Sequence, residues 1–326
     1  MKICIWITKI FDLGGTKRVV SLLANELVKE HEVTIMTYED RFREDRTMYH
    51  LSEDIDVDFI DNSQFVNKHH TPAFCVRYFV KKLNDQSGMF NKKSLNPILG
   101  EAIFPKKTRE RWVEYFNSQD YDVILTTASL SLRLGMIAPQ LKAATIGWQH
   151  NCYDGYLHVK PVVFWQQENL LKEYLPNLDR YIVLSDYDKR DYMEKLGIDC
   201  EVKINPRSFV SEKKCDVKSK RFLMATRFVY AKGLDLMMES FEEFCKEDKE
   251  WQLDIIGDGD LFEQIKADFL ATLSEEDQEA KAAMVARYYN NEEKAAMRNM
   301  ILDEGVRLDG RHTAEVRPIW CEVGYL

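Results

Sequence analysis

The chain has 326 residues, 45% hydrophobic and 30% charged, which predicts about two domains and excludes wholesale disorder and collagen-like repeats. Its formal net charge of -9 excludes a protein held on nucleic acid by a global positive field. No apolar run approaches the roughly 18 residues of a bilayer-spanning helix, and seven scattered cysteines without a CxxC favour reduced thiols over a disulfide framework or a zinc site.

Strands and helices alternate along most of the chain. The pattern predicts strands at 2–7, 32–37, 57–60, 122–126, 144–148, 180–184, 202–204, 221–225 and 251–256. It predicts helices at 19–29, 131–139, 163–174, 186–196 and 233–247. Such alternation is typical of parallel sheets with crossover helices. The stretch 205–220 is predicted to be a hinge, and 274–304 to be one long charged helix.

The segment 67–114 interrupts this pattern. It carries ten Lys/Arg against four Asp/Glu, with aromatic residues interleaved. One interpretation is a patch that touches anionic lipid or a lipid-linked acceptor. The alternative is solvated helices that cover one side of the N-terminal domain. Co-sedimentation with anionic and neutral vesicles separates the two interpretations.

Two turns follow predicted strands of the N-terminal half. Gly14 and Gly15 lie between the first strand and the first helix, where glycine lets a phosphate approach the backbone and the helix N-terminus favours an anion. His150 follows the strand 144–148, at an edge where α/β folds place ligands, and could hydrogen-bond a hydroxyl or stabilise developing charge. An ordinary turn and a packing histidine are the alternatives.

Two loops follow predicted strands of the C-terminal half. Arg227 and Lys232 lie five residues apart between a strand and a helix, a spacing that suits a diphosphate. Gly257, Asp258 and Gly259 end the next strand as a tight turn. The sequence also contains two DxD patterns, at 56–58 and 258–260, but the first alternates along a strand and the second is this turn, so we expect no metal site.

Residues 1 to about 265 resemble a retaining GT-B glycosyltransferase of family 4. The resemblance lies in FDLGGTKRVVSLLANELVKEHEVTIMT, GWQHN, YIVLSDYDKRDYMEKLGI, ATRFVYAKGLDLMMESFEEF and WQLDIIGDGDLFEQI. It implies that Gly15 lies against the diphosphate of a nucleotide-sugar donor and His150 near the transferred sugar. It also implies that Arg227 and Lys232 bind the diphosphate, and that the enzyme needs no cofactor or protein-bound metal.

The chain departs from that family after Gly259. The family carries two glutamates eight positions apart downstream of this turn, which bind the donor sugar and ribose, and none fit here. The pairs Glu239/Glu247 and Glu242/Glu250 have the spacing but precede the turn, so we interpret them as chance matches on a solvated face. We therefore expect weak or no sugar transfer by this chain.

The tail resembles an internal part of a bacterial polynucleotide phosphorylase. AMRNMILDEGVRLDGRHTAEVRPIWCEVGYL carries this resemblance, most specifically at RLDGR and RPIWCEV. Residues 266–326 hold eight basic against twelve acidic side chains, an unfavourable field for RNA. RNA is therefore not an expected partner, with Arg307 and Arg311 the only candidate contacts.

The expected architecture is α/β: a GT-B-like Rossmann domain at 1–206, a truncated second Rossmann-like domain at 207–265, and a helical tail at 266–326. The expected function is transfer of a sugar from a nucleotide sugar to a polysaccharide or glycolipid acceptor, in the cytoplasm or at its membrane surface. The alternative is a non-catalytic fusion or assembly module, or a joined reading frame. Size-exclusion chromatography with and without 266–326 tests the assembly role.

Overall fold

The computed structural model describes residues 1–264 except 13, 40, 62–70, 159–162, 208–216, 249, 258 and 263. The chain divides into two compact units, Met1–Ser208 and Phe209–Leu326. The domain boundaries expected at 206 and 265 stay predictions, and the expected helical tail lies outside the described residues.

The first unit is built on a seven-stranded sheet in the order β3-β2-β1-β4-β5-β6-β7. Every neighbouring pair of strands is parallel. The strands are β1 (Lys2–Trp6), β2 (Glu32–Thr37), β3 (Asp56–Phe59), β4 (Val123–Thr127), β5 (Ala144–Trp148), β6 (Arg180–Val183) and β7 (Glu201–Val202). The parallel α/β architecture is thus confirmed.

Helices cover both faces of this sheet. They are α1 (Gly15–Leu27), α2 (Pro72–Ser87), α3 (Asn96–Ile103), α4 (Lys106–Ser118), α5 (Ser129–Ile137), α6 (Tyr153–Leu157), α7 (Glu168–Tyr174) and α8 (Asp186–Asp191). Side chains alternate along β1, so Cys4 and Trp6 enter one core cluster while Ile3 and Ile5 enter the other. A sheet buried on both faces explains the nearly continuous apolar strands of the sequence.

Three helical segments differ from their predictions. Helix α1 begins at Gly15, before the apolar periodicity that starts at residue 19. The helix expected at 163–174 begins only at Glu168, because Gln166 adopts a positive φ of 55° that an α-helix cannot contain. Helix α8 ends at Asp191 and continues as a π-helical turn, Tyr192–Leu196.

The second unit contains two parallel strands among its described residues, β8 (Arg221–Ala225) and β9 (Gln252–Ile256). Helix α9 (Leu234–Cys245) connects them. The core of this unit gathers apolar side chains of α9 and β9 around Phe228. This strand–helix–strand unit places the loops after β8 and β9 at one edge, because the two strands run in the same direction.

Candidate active site at the carboxyl edge of the sheet

The order of the large sheet creates a switch point between β1 and β4. The chain proceeds from β1 through β2 to β3 on one side, and from β4 to β7 on the other. Ligands of open α/β sheets bind outside the carboxyl ends of the strands at such a point. The loops after β1 and β5 leave this edge, so the structure brings the predicted residues Gly14, Gly15 and His150 to the same side of the sheet.

The glycine loop opens helix α1. Gly14 has an extended backbone and stands at the N-cap without a side-chain cap, and its N–H donates to the Tyr49 hydroxyl at 2.8 Å. A Cβ added to Gly15 would meet nothing within 4 Å. The first turn of α1 contains no acidic residue. This combination leaves open space beside a positive helix end, which suits an anion.

Charges beside the glycine loop are mixed. Lys17 Nζ lies 3.5 Å from Asp12 Oδ2, and Lys9 Nζ lies 3.9 Å from the same oxygen. The Lys17 side chain also passes over Gly14, since an added Cβ there would lie 3.0 Å from Lys17 Cδ. An anionic ligand at this loop would therefore meet Lys17 and compete with Asp12 for it.

A buried carboxylate fixes the start of the same loop. Glu39, 7% exposed, follows β2, and its Oε2 accepts the backbone N–H groups of Ile10 at 2.5 Å and Phe11 at 2.9 Å. Sequence reasoning missed this residue, because its partners lie 28 and 29 positions away and no local pattern connects them. Glu39 thus helps to set the path of the chain that leads to Gly14.

His150 is half-buried directly beyond β5. Its ring lies against that of Trp148, with centroids 4.5 Å apart. Both imidazole nitrogens are buried and neither makes a well-formed hydrogen bond to a described residue, although the Asn205 side chain is close enough to favour the protonated form. Burial outweighs that effect and lowers the pKa of His150 to about 4. At neutral pH the imidazole is uncharged and can share a hydrogen bond with a ligand hydroxyl.

The second unit holds the predicted cations at its own carboxyl edge. Arg227 and Lys232 are exposed, and neither forms an ion pair among the described residues. Lys232 ends a short 3₁₀ turn, and Gly233 follows with a φ of 63° at the N-cap of α9. Two exposed cations at one edge can offset the charge of a diphosphate.

Gly257 and Gly259 allow the turn after β9 to lie close to the backbone that follows β8. A Cβ on Gly257 would lie 1.8 Å from the carbonyl oxygen of Thr226, and one on Gly259 would lie 2.4 Å from that of Phe228. Only glycine permits this approach, so the turn after β9 presses directly on the backbone that carries Arg227. Asp258, predicted between them, lies outside the described residues.

From residue 71 onward, the basic segment 67–114 contains α2, α3 and α4. Helix α2 buries only Val80 and Asn84, and it exposes Val76, Tyr78 and Phe79 by 62%, 59% and 60%. The described part of the segment is helical, which both interpretations allow, so the lipid interpretation and its solvated alternative both stay predictions.

The first DxD pattern belongs to the described part of the chain and lies on β3. Asp58 of the first DxD accepts a hydrogen bond from the Tyr115 hydroxyl. No group of three or more His, Cys, Asp or Glu in the described part of the chain could hold a metal ion. No helix there combines the length and apolarity needed to cross a bilayer.

Family descriptions match two parts of the chain. The description "Glycosyltransferase Family 4" matches residues 13–208. The chain belongs to this glycosyltransferase family. A second description, "Polyribonucleotide nucleotidyltransferase, RNA binding domain", matches residues 259–312. Both resemblances seen in the sequence are thereby confirmed, and the glycosyltransferase part contains Gly14, Gly15 and His150.

Curated polyribonucleotide nucleotidyltransferases match only a short part of this chain. The polyribonucleotide nucleotidyltransferase of Bacteroides fragilis is 61% identical over 67 residues, which are 21% of this chain and 10% of that protein. The chain thus spans about a tenth of the length of the curated relatives it matches. Of the residues 259–312 that match the second description, the structure describes 259–262 and 264.

Solved glycosyltransferases share the fold of this family 4 chain. TarM is 12% identical with a TM-score of 0.54, covering 85% of this chain and 75% of its own. A complex of a TarM mutant of S. aureus with fondaparinux, alpha-GlcNAc-glycerol and UDP is 12% identical with a TM-score of 0.52, covering 81% and 74%. The lipopolysaccharide outer core galactosyltransferase WaaB is 19% identical with a TM-score of 0.49, covering 82% of this chain and 64% of its own. The TarM structures support the GT-B fold.

Proposed function

We propose that this glycosyltransferase takes its sugar from a nucleotide-sugar donor and transfers it with retention of anomeric configuration to a glycan or lipid-linked acceptor. The observation that carries the proposal is His150, whose two buried imidazole nitrogens have no well-formed partner among the described residues. Buried polar groups are normally paired, so this arrangement favours a ligand as the missing partner. A neutral imidazole suits a sugar hydroxyl better than it suits a phosphate.

The nucleoside diphosphate that leaves requires positive charge from groups other than the neutral His150. A nucleoside diphosphate departs readily only when cations or dipoles neutralise it. We assign this role to Arg227 and Lys232 at the carboxyl edge of the second unit. The chain lacks the glutamate pair expected after Gly259, so we expect slow turnover and weak donor binding.

Calorimetric titration with UDP tests the donor site, because the TarM complex with the same fold contains UDP. Arg227→Gln and Lys232→Gln should each weaken binding about five-fold or more, since a charge-assisted phosphate contact contributes about 1–3 kcal/mol. Lys246→Gln is the matched control, because it removes one exposed charge that pairs with Glu243. Equal affinities in all four proteins would contradict the assignment.

Product analysis tests the reaction. Incubation of UDP-sugars with the purified chain should release UDP slowly, and His150→Ala should remove that release. His50→Asn, at an exposed position, should leave it unchanged, because asparagine tolerates the positive φ there. The coupling constant of the anomeric proton in the product reports retention or inversion. An inverted product, or release that persists in His150→Ala, would contradict the proposal.

The acceptor side of the proposal places α2 at an anionic membrane surface. Val76 and Phe79 are exposed on one face, with Lys81 and Lys82 exposed beside them, a combination typical of interfacial helices. Co-sedimentation should increase when phosphatidylglycerol is added to phosphatidylcholine vesicles, and Phe79→Ser should reduce it. Phe42→Ser, which removes an aromatic ring of 98% exposure elsewhere, should not. Equal binding to both vesicles would remove the lipid role.

A further inference from the structure

Gln149 is the residue between Trp148 and His150, and its side chain is 1% exposed. Its Oε1 accepts hydrogen bonds from the hydroxyls of Tyr181, at 2.8 Å, and Tyr192. Its Nε2 donates to the carbonyl oxygen of Asn151 at 2.7 Å. Both lone pairs of the amide oxygen are therefore used by tyrosines, while the amide nitrogen holds the chain immediately after His150.

The two tyrosines belong to elements that lie later in the chain. Tyr181 belongs to β6, and Tyr192 opens the π-helical turn that continues α8. Both are buried, and their rings meet edge to face with centroids 5.4 Å apart. Burial raises the pKa of each hydroxyl, so both remain protonated donors. π-Helical turns occur frequently at functional sites.

The backbone around His150 is held from two further directions. The N–H of Gln149 donates to the carbonyl oxygen of Ile182 in β6 at 2.9 Å. The hydroxyl oxygen of Tyr156 lies against the backbone N–H of His150. His150 is thus the one member of the turn 149–151 whose side chain lacks a well-formed hydrogen bond within the described residues. The residues on either side of His150 are hydrogen-bonded, whereas its own buried ring nitrogens have no well-formed hydrogen bond among the described residues.

We propose that Gln149 is a positioning residue for His150: its amide, anchored by Tyr181 and Tyr192, holds the turn 149–151 so that the imidazole rests against Trp148 and meets the ligand. The proposal deepens the function proposed above and rests on it for the role of His150. An apolar side chain of similar volume would fill the same space, but it would remove the donor to Asn151 and the oxygen that accepts from both tyrosine hydroxyls. The polar network therefore serves the placement of the loop in addition to packing.

Histidine NMR on the free protein tests this inference without needing turnover. The His150 signal is the one of seven that disappears in His150→Gln. Gln149→Met keeps the volume and removes every side-chain hydrogen bond, and Tyr192→Phe removes one. Tyr38→Phe is the control, because it deletes a partly buried hydroxyl that accepts a hydrogen bond from Trp6 at 3.1 Å, away from this network.

The expected result is a rise of about one pH unit in the His150 midpoint in Gln149→Met and Tyr192→Phe, because a loosened ring becomes better hydrated. Tyr38→Phe should leave the midpoint unchanged, which separates positioning from general loss of stability. An unchanged midpoint in folded Gln149→Met or Tyr192→Phe would overturn the proposal. If Gln149→Met does not fold, Tyr192→Phe and Tyr181→Phe decide. UDP affinities that are equal in wild type, Arg227→Gln and Lys232→Gln would count against the proposed function but leave this outcome intact.

Discussion

At the scale of single residues, the low pKa of His150 makes the free energy of unfolding depend on pH. Burial lowers the pKa from 6.5 to about 4, so the unfolded chain binds a proton in this pH window that the folded chain does not. Stability must then rise with pH between the two values and fall as the pH drops through them. At neutral pH the uncharged imidazole can offer hydrogen bonds but no positive charge.

His150→Gln should therefore flatten the pH dependence of stability. Between about pH 7 and about pH 4.5 the wild-type chain should lose about 2 kcal/mol of unfolding free energy that the variant retains. Urea unfolding followed by circular dichroism measures both. His50→Asn is the control, since position 50 is exposed and asparagine tolerates its positive φ of 51°. Parallel pH profiles for wild type and His150→Gln would contradict the assigned burial effect.

Alanine substitutions at Gly257 and Gly15 should affect stability in opposite directions. Gly257→Ala forces a Cβ to within 1.8 Å of a backbone oxygen and should destabilise the second unit by about 2 kcal/mol. Gly15→Ala meets open space inside a helix and should change stability by at most about 0.5–1 kcal/mol, in the stabilising direction. Chemical denaturation compares the two. If Gly15 faces the diphosphate, Gly15→Ala should nevertheless weaken UDP binding, and unaltered affinity would remove Gly15 from the donor site.

At the scale of elements, the strands were predicted well because a parallel sheet buries both of its faces and leaves short apolar runs in the sequence. Helix α2 was not predicted well. Its apolar residues lie on its exposed side as well as around Val80, so they do not form a single apolar stripe. The start of α1 was placed late for a related reason. Gly15, Thr16 and Lys17 carry no apolar periodicity, and only the backbone geometry shows that they are helical.

The candidate site was predictable to the extent that its residues follow strands directly. His150, Gly14 and Gly15 could be predicted as candidates because position in a loop after a strand is visible in the sequence. Gln149 lay beside His150 and went unassigned, because its partners Tyr181 and Tyr192 come 32 and 43 residues later. Contacts of this range depend on how β6 and α8 pack, which no local pattern encodes.

Helix α2 offers a test of its one-sided packing. Val80→Ala should lower the unfolding free energy by about 1–2 kcal/mol, because Val80 is 8% exposed and its methyl groups leave a cavity. Phe79→Ala removes a larger side chain of 60% exposure and should cost less than about 0.5 kcal/mol. Urea midpoints measure both. A larger loss for Phe79→Ala would mean that the outer face is covered in solution.

At the scale of the whole molecule, each unit has its own apolar clusters, and the two units match different family descriptions. The apolar clusters of the first unit contain residues up to Val202, and the cluster of the second begins at Met224. The family 4 match ends at residue 208, where the first unit also ends. The complete parallel sheet with His150 therefore belongs to a part of the chain that carries all of its own core.

Separate cores predict stepwise unfolding, since cooperativity requires a shared one. Calorimetry should resolve two transitions. Leu132→Ala, at a side chain of 1% exposure in the first unit, should lower the transition of that unit by several degrees, because it removes about 2–5 kcal/mol. Gly257→Ala should lower only the other transition, and residues 1–208 expressed alone should keep the first. A single transition that both substitutions shift together would show that the two cores unfold as one.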